Sequence, residues 1–228
     1  MTWRQGSAIS KKTRKLVFWF CWGEDVEFLE NIEELEALYS SPSKASLVKV
    51  AKRMTPTYRK WIMASKFCVL STIGPEGTDG SPRGDDGPVV LELDERHIAL
   101  PDWRGNNRID SLRNIVRDPR VSLMFMVPHV DIVVRLNGRA RLTVDEALRQ
   151  RFARAQGEKL PGLVTVVQID EIYAQCAKSI MRSGLWRADH TPPDIPSLGE
   201  MLKEQSSGEF DGEAFDRDWP SKAAQTLW

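Results

Sequence analysis

IALPDWRGNNRIDSLRN, residues 98–114, carries a strand into a polar loop and the loop directly into a helix. The loop holds Asp102, Arg104, Gly105, Asn106, Asn107 and Arg108. The helix is predicted over residues 108–118, with Ile109, Leu112 and Val116 on one face, and Pro119 ends it. Unpaired N–H groups at a helix start, joined by arginine, make a ready anion site, phosphate above all. Gly105 lets the backbone approach a ligand closely, and the asparagines both donate and accept hydrogen bonds. Asp102, Asn106 and Asn107 are also ordinary turn formers and caps, so the loop alone leaves both readings open.

Upstream of this stretch, residues 32–39 place Ile32, Leu35 and Leu38 at helical spacing among glutamates. A second helix is predicted over residues 43–53. Thr55-Pro56 starts a third that reaches Ser65. The pattern then turns β-branched. Strands are predicted at residues 67–73, 80–85, 88–93 and 97–100, with a turn at residues 74–77. Downstream, strands are predicted at 120–127, 131–144 and 163–173, with Asn137-Gly138 as a bend or hairpin signal. Asp145 caps a helix over 146–155, and residues 177–185 form a short one. After Pro192 the tail is polar, with one candidate helix at 197–204. Strands with few long helices between them exclude a doubly wound parallel sheet. They favour a small antiparallel barrel, mainly β with flanking helices.

Composition removes several classes of function. The 228 residues carry 32 Lys plus Arg against 32 Asp plus Glu, so no global charge argues for nucleic acid or an anionic membrane. Cys21, Cys68 and Cys176 form neither a disulfide framework nor a CxxC pair, which suits small buried thiols in a reducing cytoplasm. His97, His129 and His190 show no metal-ligand spacing, so no metal site is expected. The apolar run at 16–22, preceded by Lys11, Lys12, Arg14 and Lys15, is far shorter than a membrane span of about 20 residues. The chain therefore reads as a cytoplasmic protein with an N-terminal extension over residues 1–30. That run either packs on the folded body or rests on a membrane surface.

Two further stretches carry chemistry. SPRGD, residues 81–85, places Arg83 in a short strand closed by Gly84, from which the side chain should project. A charged hairpin rim is the bland reading of the same residues. YAQCAKSIMRSGLW, residues 173–186, sets Lys178 and Arg182 four apart on a helix, with Trp186 one turn on. Two cations and an aromatic ring suit a planar anionic ligand. They equally suit a surface helix anchored by Trp186.

Taken together, SPRGD, IALPDWRGNNRIDSLRNIVRDPRVSLMF, VRLNGRARL and AKSIMRSGLW resemble the pyridoxamine 5'-phosphate oxidase-related flavoproteins. The closest likeness is to bacterial members with SPRGD, PDxxGNNRxDSLxN and KxxxRSxLW signatures. The resemblance covers residues 32–186 and implies a split, six-stranded antiparallel β-barrel, with FMN held at the interface of a homodimer. It implies an FMN-binding domain over residues 31–190 and a C-terminal tail with a short helix over 191–228. By the same resemblance Arg83 and the Asn106, Asn107 and Arg108 loop hold the FMN phosphate with Ser111 close by, Ser81 and Gly84 belong to the cofactor site, and Pro101 and Asp102 line the flavin. Lys178, Arg182 and Trp186 reach the cofactor from the partner subunit.

One departure matters. The Arg-Leu-His-x-Arg run with which pyridoxamine phosphate oxidases grip substrate phosphate has no counterpart after Trp186, where the chain reads RADHTPPDIPSLGE. The expectation is an FMN-dependent oxidoreductase acting on another small molecule. The alternative is a non-catalytic carrier or sensor of flavin, deazaflavin or haem. No residue stands out as a catalytic nucleophile or base.

Overall fold

The computed structural model describes residues 27–154, 159–187 and 194–226. The apolar run at 16–22 and His190 lie outside the described residues, and the helix expected over 146–155 ends at Gln150. The chain divides after Pro42 into two compact units. In the first, the described residues hold helix α1 (Ile32–Ala37), started by the Asn31 side chain accepting from the Glu34 amide at 2.8 Å.

The second unit is mainly β. Helices α2 (Lys44–Val48) and α3 (Pro56–Ile62) lead into β1 (Phe67–Gly74), β2 (Gly77–Gly84), β3 (Leu91–Asp94) and β4 (His97–Asp102). Helix α4 (Asp110–Arg117) follows, then β5 (Arg120–Met126), β6 (Val133–Thr143), α5 (Glu146–Gln150) and β7 (Leu163–Gln175). Helices α6 (Lys178–Ser183), α7 (Leu198–Gln205) and α8 (Gly212–Gln225) complete the described chain. The strands form one antiparallel sheet in the order β2-β1-β5-β6-β7-β4-β3.

Alternation decides which face is inside. In β1, Cys68, Leu70 and Thr72 are buried while Phe67, Ser71 and Ile73 point out, as period-two geometry requires. One core gathers Leu70 of β1, Phe125 of β5, Leu136 of β6, Ile172 of β7 and Leu100 of β4. Side chains from strands so far apart in the sheet order meet only if the sheet curls on itself, which makes it a barrel.

The split between the two edges is bridged by the segment that carries α3. Ala51 pairs with Ile172 of β7, and the Met54 amide donates to Glu95 O at 2.7 Å. Val89 N then donates to Ser65 O at 2.9 Å, and Asp85 N to Lys66 O at 3.0 Å. Thr55 caps α3, Pro56 occupies its first turn, and Ile62 is fully buried as the plug.

Three expectations need correcting, and one open reading is decided. The sheet has seven strands, not six: β3 adds a four-residue edge hairpin with β4, held by the Asp94 carboxylate accepting from the Arg96 amide at 2.7 Å. Of the two readings of Asn137-Gly138, bend or hairpin, the bend holds. It lies inside β6 at a register shift against β7, a bulge that bends the strand without ending it.

Helix α4 begins later than expected because Ile109 is left-handed, at φ 51°. It buries Ser111, Leu112, Asn114 and Ile115, while Val116 is 76% exposed. The tail, finally, holds two helices. Helix α8 runs through Pro220, and α7 packs against its first turns. Gly199 and Gly212 pack backbone to backbone, and Asp216 accepts from Gly199 N at 2.8 Å. The Phe215 and Trp219 rings stack at 5.5 Å on α8.

At Gly138, a Cβ would lie 2.1 Å from the backbone oxygen of Gln168 in the facing strand. Neither strand can yield without breaking the β6–β7 ladder. Gly138→Ala is expected to lower stability by about 2–3 kcal/mol in urea unfolding, with an unchanged m-value.

Candidate functional site

The end of β2 and the end of β4 lie far apart in the sheet order and side by side in space. The barrel's curl brings them together, and the Arg83 guanidinium donates to Asp102 Oδ1 at 2.8 Å across the gap. Between them opens a cleft of about 1350 Å³, lined by residues 79–86 and 100–112, with Val89, Lys159, Leu160 and Gly162.

Ser81, Arg83, Gly84, Pro101, Asp102, Asn106, Asn107, Arg108 and Ser111 all line this cleft. Lys178, Arg182 and Trp186 do not. Lys178 and Arg182 sit on α6 with exposed side chains. Trp186 donates its indole N–H to Val130 O at 3.1 Å, and its ring tilts against His129.

The loop after β4 has an unusual backbone. Asn107 and Ile109 both take positive φ, 60° and 51°, so two left-handed residues flank Arg108. Asparagine tolerates this region; isoleucine seldom does, and the strain is held by what α4 packs against. Three polar contacts fix that helix to the β1–β2 hairpin. Arg117 forms a double contact with Glu76 at 2.6 and 2.7 Å, Asn114 Nδ2 donates to Thr72 Oγ1 at 3.1 Å, and the Ser111 hydroxyl donates to Asp79. A Cβ on Gly74 would lie 2.0 Å from Asn114 Oδ1, so glycine there makes room for the buried amide. The start of α4 has no side-chain cap.

Carboxylates and cations alternate round the rim. Arg108 Nε donates to Asp110 at 2.9 Å and leaves its two NH2 groups directed elsewhere. Arg83 Nε is buried without a hydrogen-bond partner, the one such side-chain nitrogen or oxygen among the described residues. A buried donor in that state costs free energy until something accepts from it. Across the β1–β2 ladder from Arg83 lies Cys68, whose thiol burial pushes up to about 12 against the opposing pull of that guanidinium. Cys68 is a neutral packing residue, not a nucleophile.

Sequence reasoning left Asp85 without a role, and Trp103 and Arg154 unnoticed. Asp85 closes SPRGD with its side chain 4% exposed. Burial opposes its charge, but the Gly87 amide, the Trp103 indole N–H and the Arg154 guanidinium together hold its carboxyl below the usual range. Arg154 comes from beyond α5, 69 residues away in sequence, and no spacing rule connects the two. An aromatic residue inside an otherwise polar loop was the available signal for Trp103.

Among the described residues, no cluster of three or more His, Cys, Asp or Glu is arranged to hold a metal ion. No helix among them is long and apolar enough to cross a membrane.

The family model described as pyridoxamine 5'-phosphate oxidase matches residues 54–176, just over half of the chain. The chain belongs to the pyridoxamine 5'-phosphate oxidase family. The matched span contains every strand of the sheet and both walls of the cleft, and stops just short of α6. No protein of curated function matches the sequence. Among solved structures, HupZ of Group A Streptococcus is 17% identical, covering 53% of this chain and 94% of its own, with a TM-score of 0.42. General Stress Protein 26 of Bacillus anthracis is 15% identical over 50% of this chain and 88% of its own, at 0.39. The FAD binding protein of Mycobacterium smegmatis is 16% identical over 55% and 97%, at 0.36.

Because Asp85 is held ionised by its partners, the stability it contributes is present above the unfolded carboxylate pKa of about 3.9 and lost as pH falls through its lower folded value. Asp85→Asn is expected to cost about 1–2 kcal/mol at pH 7, Arg154 keeping Asp86 as its second partner. Thermal melts of both proteins from pH 7 to pH 2.5 should show the difference shrinking only on the acid side.

Proposed function

We propose that the cleft binds FMN and that the protein is an FMN-dependent oxidoreductase acting on a small molecule other than pyridoxamine phosphate. The observation that carries this is the buried, partnerless Nε of Arg83 at the wall of the cleft. A phosphate oxygen is an acceptor of the right charge for it, and a charge-assisted bond is among the strongest a side chain makes.

The rest of the donor set agrees. Asn106 and Asn107 bring amide donors, and Arg108 brings its two NH2 groups. The uncapped start of α4 offers backbone N–H groups and the positive end of its dipole. Ser111 offers a hydroxyl now engaged by Asp79. In volume the cleft exceeds the 300–1,000 Å³ of ordinary ligand pockets and takes a nucleotide-sized cofactor with room over it. Arg83, Asn107 and Arg108 would hold the phosphate, and Pro101 and Asp102 would line the ring. When bound, FMN supplies the redox chemistry. The chain's own residues fix its orientation and keep positive charge at one end of the cleft.

Lys178, Arg182 and Trp186 lie outside the cleft of their own protomer, which supports their serving the cleft of a second subunit in a homodimer. The outer sheet face supports such pairing. Phe67 and Met126 oppose each other across the β1–β5 ladder, as do Val69 and Met124. Phe67 and Ile73 are more than a third exposed.

Purified protein titrated with FMN is expected to bind it with one site per chain. Arg83→Ala should weaken binding roughly 30-fold or more, and Arg108→Ala about ten-fold, since Arg108 is the more exposed. Light scattering should give twice the mass of a single chain. The bound flavin should be reduced anaerobically by a nicotinamide or amine donor and reoxidised by oxygen. Bound flavin that no donor reduces would instead mark a carrier or sensor, and an absence of FMN binding would overturn the reading.

A further inference from the structure

Resting on that reading, the geometry points to Trp103 as the residue by which the cleft selects a planar ring system. It is a specificity-determining wall, separate from the phosphate grip.

Trp103 is the one aromatic among the described residues lining the cleft. The other lining residues are small, polar, charged or aliphatic. It follows directly on Asp102, the last residue of β4, whose backbone pairs with Leu163 of β7 and whose carboxylate pairs with Arg83. Its starting point is therefore set by the sheet, not by the loop.

The ring is then held by further contacts, two of them to fixed partners. Its Nε1 donates to Asp85 Oδ2 at 3.2 Å, and the Arg154 guanidinium lies 5.7 Å from its centroid. Those partners are themselves fixed. Asp85 is almost wholly buried and accepts from the Gly87 amide, and Arg154 binds both Asp85 and Asp86, the latter at 2.6 Å. An indole on a surface loop normally samples several rotamers, and ordering it on binding costs entropy. Here the ordering is done in advance.

A pre-ordered aromatic wall rewards one class of ligand, a flat conjugated ring offering face or edge to the indole. It gives far less to a phosphorylated sugar that carries no conjugated ring. Arg83 and the 106–108 loop would recognise the phosphate of either. Two parts of one cleft thus read two parts of one molecule.

The test compares FMN with ribose 5-phosphate, on wild type, Trp103→Leu, Trp103→Phe and Asp85→Asn. FMN binding is followed by calorimetry and flavin fluorescence, and ribose 5-phosphate by competition. Wild type should quench flavin emission strongly. Trp103→Leu should lose roughly ten-fold in FMN affinity and much of the quenching, with ribose 5-phosphate affinity held within about two-fold. Trp103→Phe should recover part of the affinity. Asp85→Asn should fall between, and adding it to Trp103→Leu should change FMN binding no further, as expected of a residue that acts through the ring. If Trp103→Leu binds and quenches FMN as wild type does, the inference is overturned while the FMN reading stands. If wild type binds ribose 5-phosphate but not FMN, both fall.

Discussion

The curl of the sheet that brings Arg83 to Asp102 is the constraint on which the cleft depends. Arg83 belongs to β2, an edge strand, and Asp102 to β4, with β1, β5, β6 and β7 between them in the sheet. Only a sheet curled into a barrel lets these side chains meet. Their meeting sets the distance between the two walls of the cleft. The pair is only partly exposed, so its charges attract more strongly than a surface pair would. It also leaves one face of the guanidinium unsatisfied, with Nε buried and aimed at no protein acceptor. The curl that joins these two side chains thus leaves a buried cationic donor on a residue of the cleft wall.

Around that contact the remaining devices have distinct tasks. The α3 segment bridges the split with backbone hydrogen bonds to both edges. Helix α4 is tied to the β1–β2 hairpin by polar contacts at Ser111, Asn114 and Arg117. This explains how a left-handed isoleucine is tolerated at its start. At the end of β2, Asp85 draws in Arg154 and Trp103. Arg83 thus faces, across the cleft, the loop that carries Trp103, Asn106, Asn107 and Arg108.

The sequence made most of the scaffold legible where patterning is local. Alternation in residues 67–73 marked β1, and the Thr55-Pro56 pair marked the start of α3. The 98–114 stretch and SPRGD were each recognisable as anion-seeking, but nothing local said that they meet. That convergence is a property of the curl, set by a core drawn from the whole sheet. Where local rules stopped short or misled, tertiary contacts decided. Asn137-Gly138 was open between bend and hairpin, and continuous pairing of both flanks with β7 makes it a bulge. Helix α8 was not read from the polar tail, and it packs by Gly212 and Asp216 against α7. Val116 turned outward because α4 docks by its polar residues as well as its apolar ones. Arg154 was invisible because its partner is contributed from elsewhere in the fold.

The central claim is that the end of β2 and the loop after β4 form one ligand site. Hydrogen exchange with and without FMN tests it most directly, because backbone amides of each segment are read separately. The account predicts that adding FMN slows exchange in residues 80–86 and 102–111 together, and to a similar degree. Slowing confined to one of these segments, or found only elsewhere in the chain, would contradict it.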